Sequence, residues 1–137
     1  MIRRRTGLAL AAAVVVTGGA DAQPIRVDKV NVIEAPADFP ARAGSEFAML
    51  IAVVGRPEGA TVKLREVWRP PAPGARDPAN GQTYLDFASE VAVKLGESVR
   101  RVFVFDQAWK IVPGRWQVEY WDGVRKMQSR NFDVYTR

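Results

Sequence analysis

The chain has 137 residues, with 20 lysines and arginines, 15 aspartates and glutamates, and a net charge of +5. It contains no histidine and no cysteine, which excludes Ser-His-Asp and Cys-His nucleophilic sites and metal centres with imidazole or thiolate ligands. It also lacks a Gly-rich phosphate loop and a dinucleotide-binding fingerprint. The length suits a single domain that buries its own core without cross-links.

The N-terminus has the pattern of a secretory signal peptide. Three consecutive arginines precede an apolar run over residues 8–17, and an A-x-A cleavage site follows at residues 20–22. The run is shorter than the roughly 20 residues that a membrane-spanning helix needs. We therefore expect residues 1–22 to be a signal peptide and residues 23–137 to be one exported domain without a stable membrane anchor.

Composition also predicts the compartment. Small exported domains without cysteine are more typical of a bacterial periplasm than of a eukaryotic extracellular space, where disulfides are common. Loss of residues 1–22 removes three arginines and one aspartate, so the net charge falls from +5 to +3. The remaining charges of both signs are interspersed, which does not resemble a nucleic-acid footprint. We expect a periplasmic or secreted protein with no nucleic-acid partner.

Signal-peptide cleavage is directly testable. We expect processing after Ala22, because that residue completes the A-x-A site. The intact mass of the exported protein should correspond to a chain that starts at Gln23, and N-terminal sequencing should give the same answer. A mass that still includes residues 1–22 would refute the prediction.

The first half of the mature region predicts three strands. In residues 25–33 the apolar phase shifts near Asp28, which predicts a β-bulge or a strand that changes partners. After a loop in which Phe39 is expected to reach the core edge, residues 46–54 are apolar on both faces. Flanking glycines and short length favour a central strand covered on both sides, with a buried helix as the alternative. Residues 61–69 alternate as a third strand.

The second half predicts further strands around a long loop. Residues 70–81 contain four prolines and an Asn-Gly pair, which predict a surface loop or flap. Residues 84–95 are expected to hold one or two short strands, and residues 99–106 another. A hairpin then closes the domain, with a two-residue turn predicted at Asp122-Gly123 and a return strand over residues 127–135.

Alternation in this hairpin predicts the core. Trp116, Val118 and Tyr120 fall on one face, and Trp121 falls on the other. Only the Trp116 face has apolar partners on the return strand, so Trp116 is expected to be the central core residue. Those partners are Phe132 and Val134, and the neighbours expected from other strands are Phe47, Met49 and Ile51, with Phe103 or Phe105.

About seven or eight short strands without an amphipathic helix predict an all-β fold, an antiparallel β-sandwich. The order of segments resembles a bacterial domain of unknown function, family 3859. The residues that carry the resemblance are 62–69 with the Pro-rich loop after them, Phe103-Val-Phe-Asp, residues 111–126 and Asn131-Phe-Asp-Val. The resemblance implies an exported immunoglobulin-like domain. That family carries no assigned activity, so it implies no catalytic residue.

The candidate binding residues are aromatic and basic. An exposed Trp on a sandwich stacks on sugars or anchors a protein partner, although a Trp more often lines a core or caps a sheet. Basic residues near the last hairpin would attract an anionic partner, although such charges also protect edge strands from aggregation. The candidate surface comprises Trp68, Trp109, Trp121, Arg115, Arg125 and Lys126.

Acidic residues offer two alternatives. A pair among Glu66, Asp86, Glu90 and Glu119 would serve acid–base hydrolysis as in glycosidases, but most are expected at solvated, outward strand positions. Asp77 and Asn80, with Asp86, would supply oxygen ligands for calcium, but Asp and Asn are also good turn formers. We predict no catalytic residue, no cofactor and no metal site.

The sequence therefore predicts a non-enzymatic exported module that binds a protein or envelope component. One alternative is a carbohydrate-binding module that uses exposed Trp, and another is an envelope hydrolase with a carboxylate pair. Exposure of Trp68, Trp109 and Trp121 separates the first two functions. A carboxylate pair in one cleft would favour the third.

Overall fold

The computed structural model describes residues 24–136, so the predicted signal peptide and its cleavage site lie outside the described residues. The described part contains ten β-strands and one short 3-10 helix, Ala108–Lys110. No helix in residues 24–136 is both long and apolar enough to cross a membrane. The strands are β1 (Arg26–Glu34), β2 (Asp38–Pro40), β3 (Ser45–Arg56), β4 (Thr61–Arg69), β5 (Ala75–Arg76), β6 (Thr83–Tyr84), β7 (Phe87–Lys94), β8 (Ser98–Phe105), β9 (Gly114–Asp122) and β10 (Arg125–Tyr135).

The strands form two main sheets. One has three strands in the order β1-β3-β8, and the other has five in the order β2-β10-β9-β4-β7. Pairing is antiparallel throughout both sheets except between β2 and β10, which are parallel. Seven strands have eight or more residues, and β2, β5 and β6 have three or fewer. The predicted antiparallel β-sandwich is confirmed.

The first strand follows the sequence pattern. The ladder between β1 and β3 shifts register between Val27 and Lys29, so the predicted bulge is confirmed. The chain then crosses to the other sheet, where Phe39 of β2 packs against the rings of Phe47 and Phe105 at centroid distances of 5.5 and 5.7 Å. This crossing closes one end of the sandwich.

The core is aromatic and centres on Trp116. Its ring is fully buried, and its indole N–H donates to the carbonyl of Val112 at 2.8 Å. Phe103 and Phe105 lie 5.3 Å from it, as predicted. Phe47, Met49 and Ile51 belong to the same buried cluster, and Phe132 of β10, 6.1 Å from the Trp116 ring, stacks on Phe47 at 3.9 Å. The stacked pair joins the two sheets.

The closing hairpin turns one residue later than predicted. Asp122 pairs with Arg125, so the loop is Gly123-Val124 and β10 begins at Arg125. Gly123 has a φ of 60°, the positive value that the first position of a primed hairpin turn requires. Asp122 therefore belongs to the ladder, where its carboxylate pairs with Arg125 at 3.0 Å.

The loop over residues 70–81 is more regular than predicted. Its strand β5 pairs with β6, just after the loop, at Ala75 and Tyr84, so the two segments form a minimal two-stranded ladder. The side chains of Asp77 and Asn80 accept hydrogen bonds from backbone N–H groups two residues further on, at 2.9 and 2.8 Å. These are the local bonds by which Asp and Asn stabilise turns.

Strand β3 is a strand, as predicted, but its two faces differ. The side chains that point into the sandwich are buried, and those on the opposite face are only half-buried. Cover on both faces was predicted and is wrong for a single copy, because the chain places its second sheet on one side only. The half-buried residues are Ala48, Leu50, Ala52 and Val54.

Candidate functional site

Trp121 lies on the outer face of the five-stranded sheet. It belongs to β9 and is directly opposite Arg65 of β4 and Lys126 of β10. The guanidinium carbon of Arg65 is 5.4 Å from the centroid of the Trp121 ring, and the Lys126 ammonium is 5.9 Å from it. Both distances lie within the range of cation–π attraction. Trp121 is half-buried, so part of its surface remains accessible.

A buried carboxylate holds this ring in place. Glu119 is 4 % exposed, accepts the indole N–H of Trp121 at 3.0 Å and pairs with Arg69 at 3.1 Å. A second nitrogen of Arg69 is 3.4 Å from Asp86. Burial alone would raise the pKa of Glu119, but hydrogen bonds from Arg69 and Trp121 outweigh it and lower the pKa. An ionised Glu119 therefore fixes the orientation of the indole.

The cations beside Trp121 differ from others on the same face. Within residues 24–136, no carboxylate oxygen lies within 4 Å of a side-chain nitrogen of Arg65 or Lys126. Neither cation is therefore held in a close ion pair, and we call Trp121 with Arg65, Lys126, Glu119 and Arg69 the Trp121 surface. The paired cations of this face are Lys63 with Glu90, Arg69 with Glu119 and Arg115 with Asp133.

Trp68 is not a surface residue, so its place among the candidates was wrong. It is 3 % exposed and packs against the rings of Phe47, Phe103 and Phe132. The reason is its position in the strand. Trp68 is four residues after Leu64, so both side chains lie on the face of β4 that points into the sandwich.

The basic candidates separate along the hairpin. Lys126 joins the Trp121 surface. Arg125 donates to the carbonyl of Val27 at 3.0 Å and so ties the hairpin to β1. Arg115 lies at the opposite end of β9, paired with Asp133 at 3.2 Å.

Trp109 belongs to a separate aromatic group. It stacks on Tyr84 at a centroid distance of 5.6 Å, and its indole N–H donates to Gln107 at 2.7 Å. The Lys110 ammonium lies 5.6 Å from the Trp109 ring and 5.7 Å from that of Phe87. These contacts pack the 3-10 helix against β6 and β7, and none of them involves the Trp121 surface.

A buried ion pair crosses between the sheets, and the sequence interpretation missed it. Glu66 of β4 is 2 % exposed and accepts two hydrogen bonds from Arg101 of β8, from Nε at 2.8 Å and Nη2 at 2.9 Å. The hydroxyl of Tyr120 donates to the same carboxylate at 2.6 Å. Most of the acidic candidates were expected at solvated positions, which is wrong for Glu66 and for Glu119, both of which are buried. The sequence does indicate the buried position, because Glu66 is two residues after Leu64 and therefore shares its inward face.

Charge stabilises this cluster. Burial alone would raise the pKa of Glu66, but hydrogen bonds from Arg101 and Tyr120 and the charge of Arg101 together lower the pKa below its ordinary value. Burial and the nearby Glu66 carboxylate raise the pKa of Tyr120, so its hydroxyl stays protonated and donates. The cluster is therefore an ionised pair with a neutral third partner.

The acidic candidates do not meet in one cleft. Glu66 points between the sheets, whereas Glu119 lies on the outer face of the same sheet. Glu90 pairs with Lys63, whereas Asp86 and Glu119 are bridged by the Arg69 guanidinium, which pairs with both carboxylates. Across residues 24–136, no three acidic side chains converge as a metal site.

Comparison with solved structures identifies the fold. The chain is 28% identical to an immunoglobulin-like protein from Pseudomonas aeruginosa, over 85% of this chain and 100% of that one, with a TM-score of 0.58. This protein has an immunoglobulin-like fold. The β-glucosidase of Listeria innocua in complex with isofagomine contains a region of similar fold, with a TM-score of 0.50. The match has 8% identity and covers 82% of this chain but 16% of that chain, so it shows a likeness of fold alone. No protein-family model and no curated protein matches the chain.

In this immunoglobulin-like domain, packed aromatic rings connect the two sheets where antibody domains have a disulfide. Antibody domains pack a Trp of the third core strand against a disulfide that joins the sheets. Here Trp68 of β4 packs edge-on against Phe47 and Phe132, whose stacked rings join the sheets. The chain contains no cysteine, so these rings supply the contact between the layers.

Proposed function

We propose that this protein is a non-enzymatic, exported immunoglobulin-like module that binds a protein component of the bacterial cell envelope through the Trp121 surface. The observation that carries this proposal is the half-buried Trp121 ring beside two cations that, within residues 24–136, form no ion pair at 4 Å or less. Trp and Arg are the residues most enriched among binding hot spots. The N-terminal pattern and the likeness to an immunoglobulin-like bacterial protein support export and a module of this type.

The surface is organised before a partner arrives. The Glu119 carboxylate holds the indole N–H of Trp121, and Arg69 holds that carboxylate in turn. A side chain that is already fixed loses less conformational entropy on binding, so more of its contact energy appears as affinity. Cross-strand neighbours on a sheet also keep Arg65 and Lys126 close to the ring.

The cations favour a protein over a sugar. A carbohydrate stacks its ring on the open face of an indole. At Trp121, Arg65 and Lys126 lie over the ring, so a stacked sugar would compete with them. A protein partner would instead place a carboxylate beside these cations and an apolar side chain against the indole.

The acidic residues support binding more than hydrolysis. A glycosidase needs one carboxyl group whose pKa is raised, so that it can donate a proton. The pKa values of both buried carboxyl groups, Glu66 and Glu119, are lowered, because arginine and other donors hold their ionised forms. Neither is suited to act as a general acid.

Capture of envelope proteins by variants of the domain tests the proposal. Trp121→Ala should raise the dissociation constant for the captured partner by about 30-fold, the usual effect of removing a hot-spot aromatic residue. Trp109→Ala is the matched control, because Trp109 is a half-buried aromatic in a separate cluster. Circular dichroism would establish that both variants are folded.

Three outcomes distinguish the candidate functions. Loss of binding in Trp121→Ala but not in Trp109→Ala supports the Trp121 surface as the binding site. Equal binding by Trp121→Ala and the unmodified domain would refute it. Binding to purified envelope polysaccharide, abolished by the same variant, would favour the carbohydrate-binding alternative.

A further inference from the structure

The outer face of the three-stranded sheet carries a row of apolar side chains that is only half-buried. Its centre is the half-buried row of β3, and two valines of β8 extend it. One of them, Val104, is 40% exposed. We call this surface the β3 face, and its β3 and β8 members are Ala48, Leu50, Ala52, Val54, Val102 and Val104.

The β3 face has an acid on one side and a base on the other. Leu50 of β3 is opposite Glu34 of β1 and opposite Arg100 of β8. The same three residues, with Ala48, line a cavity of about 380 Å³. Adjacent strands lie about 4.8 Å apart, so the two charged residues flank Leu50 at similar distances.

The charges that flank Leu50 are complementary to themselves in one orientation, in which Glu46 of β3 also faces Glu46 of the second copy. A two-fold axis parallel to β3 places β3 over β3 of a second copy and β1 over β8 of that copy. Glu34 then faces Arg100 of the second copy, the reciprocal contact forms on the other side, and Leu50 packs on Leu50 of the second copy. An axis perpendicular to the strands would instead oppose Glu34 to Glu34, which is unfavourable.

We propose that the protein forms a homodimer in which the β3 faces of two copies pack against each other around this axis. Small side chains such as Ala48 and Ala52 allow two sheets to approach to about 10 Å, the usual spacing of packed sheets. A second copy supplies the cover that the apolar pattern of β3 calls for and that one copy lacks.

The charged residues are free to take part. In the described part of the chain, no cationic nitrogen lies within 4 Å of the Glu34 carboxylate, whereas Arg100 reaches Glu46 at 3.9 Å. Both members of that pair are more than half exposed, so it contributes little and exchanges readily. The Trp121 surface is on the other sheet, so the dimer does not depend on the proposed function.

Sedimentation equilibrium of residues 23–137, which contain the whole sandwich, tests the dimer. The unmodified domain should show a monomer–dimer equilibrium. Glu34→Arg or Arg100→Glu alone should raise the dissociation constant by about tenfold or more, because each places like charges opposite one another. The two substitutions together should restore dimerisation, since the charges are exchanged and again complementary.

Several outcomes would overturn the proposal. One is a monomer at every concentration up to the millimolar range. Another is a double variant that dimerises no better than the single ones. Trp121→Ala serves as the surface control and should dimerise like the unmodified domain, and circular dichroism should show each variant folded.

A cross-linking experiment locates the interface independently. The chain contains no cysteine, so Leu50→Cys creates a single reactive thiol. A short bifunctional thiol reagent should join two copies of the Leu50→Cys variant. It should not join two copies of Lys126→Cys, whose thiol lies on the other sheet. Equal cross-linking of both variants would contradict the proposed interface.

Discussion

Trp116→Ala is expected to lower the free energy of unfolding by about 3–5 kcal/mol, the usual cost of removing a buried Trp side chain. The ring is fully buried and contacts Phe103 and Phe105. Its removal would leave a cavity between the sheets and the carbonyl of Val112 without its indole donor. A domain of this size has a total stability of roughly 5–15 kcal/mol, so the variant should be visibly weakened.

Urea unfolding, followed by circular dichroism, measures this effect. Trp121→Ala is the matched control, because it removes the same side chain from the opposite face of the same strand. We expect it to cost about 1 kcal/mol, in the range of ordinary surface and half-buried substitutions. Equal destabilisation by both variants would mean that both faces of β9 are buried, and the Trp121 surface would no longer be a credible binding site.

Glu66→Gln is expected to destabilise the domain by about 2–3 kcal/mol, because it removes the charge that Arg101 and Tyr120 bind, while the Arg101 side chain, 25% exposed, stays partly hydrated. Replacing both residues, as in Glu66→Leu with Arg101→Met, should cost less than either single change, and the loss that remains comes from the Tyr120 hydroxyl, which no longer has its acceptor. Apolar side chains of similar volume often replace a buried pair without loss of stability. The exposed pair Lys63 and Glu90 is the control, and Lys63→Ala should change stability by no more than about 1 kcal/mol.

The pH dependence of unfolding gives a second measurement of the same pair. The pKa of Glu66 in the folded protein is below its ordinary value of 4.5. The contribution of Glu66 to stability is therefore complete above that value and is lost as the pH falls through the lower folded-state pKa. Below pH 4.5, the double variant should lose less stability than the unmodified domain. Identical acid dependence of the two proteins would mean that Glu66 does not carry this effect.

Alternation predicted most of the long strands, because burial on one face of a sheet imposes a period of two. Strand β4 was predicted over the residues that form it, and the inward side chains of β9 were predicted in full. The short strands β2 and β5 were not predicted. Each depends on pairing with a distant or irregular segment, and two or three residues carry no periodic signal of their own.

The site was predicted only in part, for a related reason. Alternation indicated that Trp121 faces away from the core, but it did not show which residues stand beside it. Arg65 is next to Trp121 because β4 pairs with β9, and that register is set by the folded sheet. Glu66 was predicted to be solvated because its charge was given more weight than its position on the inward face of β4. A charge at an inward position requires a partner from another strand, and Arg101 supplies it.

The Trp121 surface and the β3 face lie on opposite sheets of the sandwich, and this determines the valency of a dimer. Packing through the β3 faces gives four stacked sheets, with one Trp121 surface on each outer side, about 30 Å apart at the usual sheet spacing. The two surfaces point in opposite directions, so one flat partner cannot engage both. Such a dimer would act as a rigid bridge between two partner molecules rather than as a bivalent clamp on one.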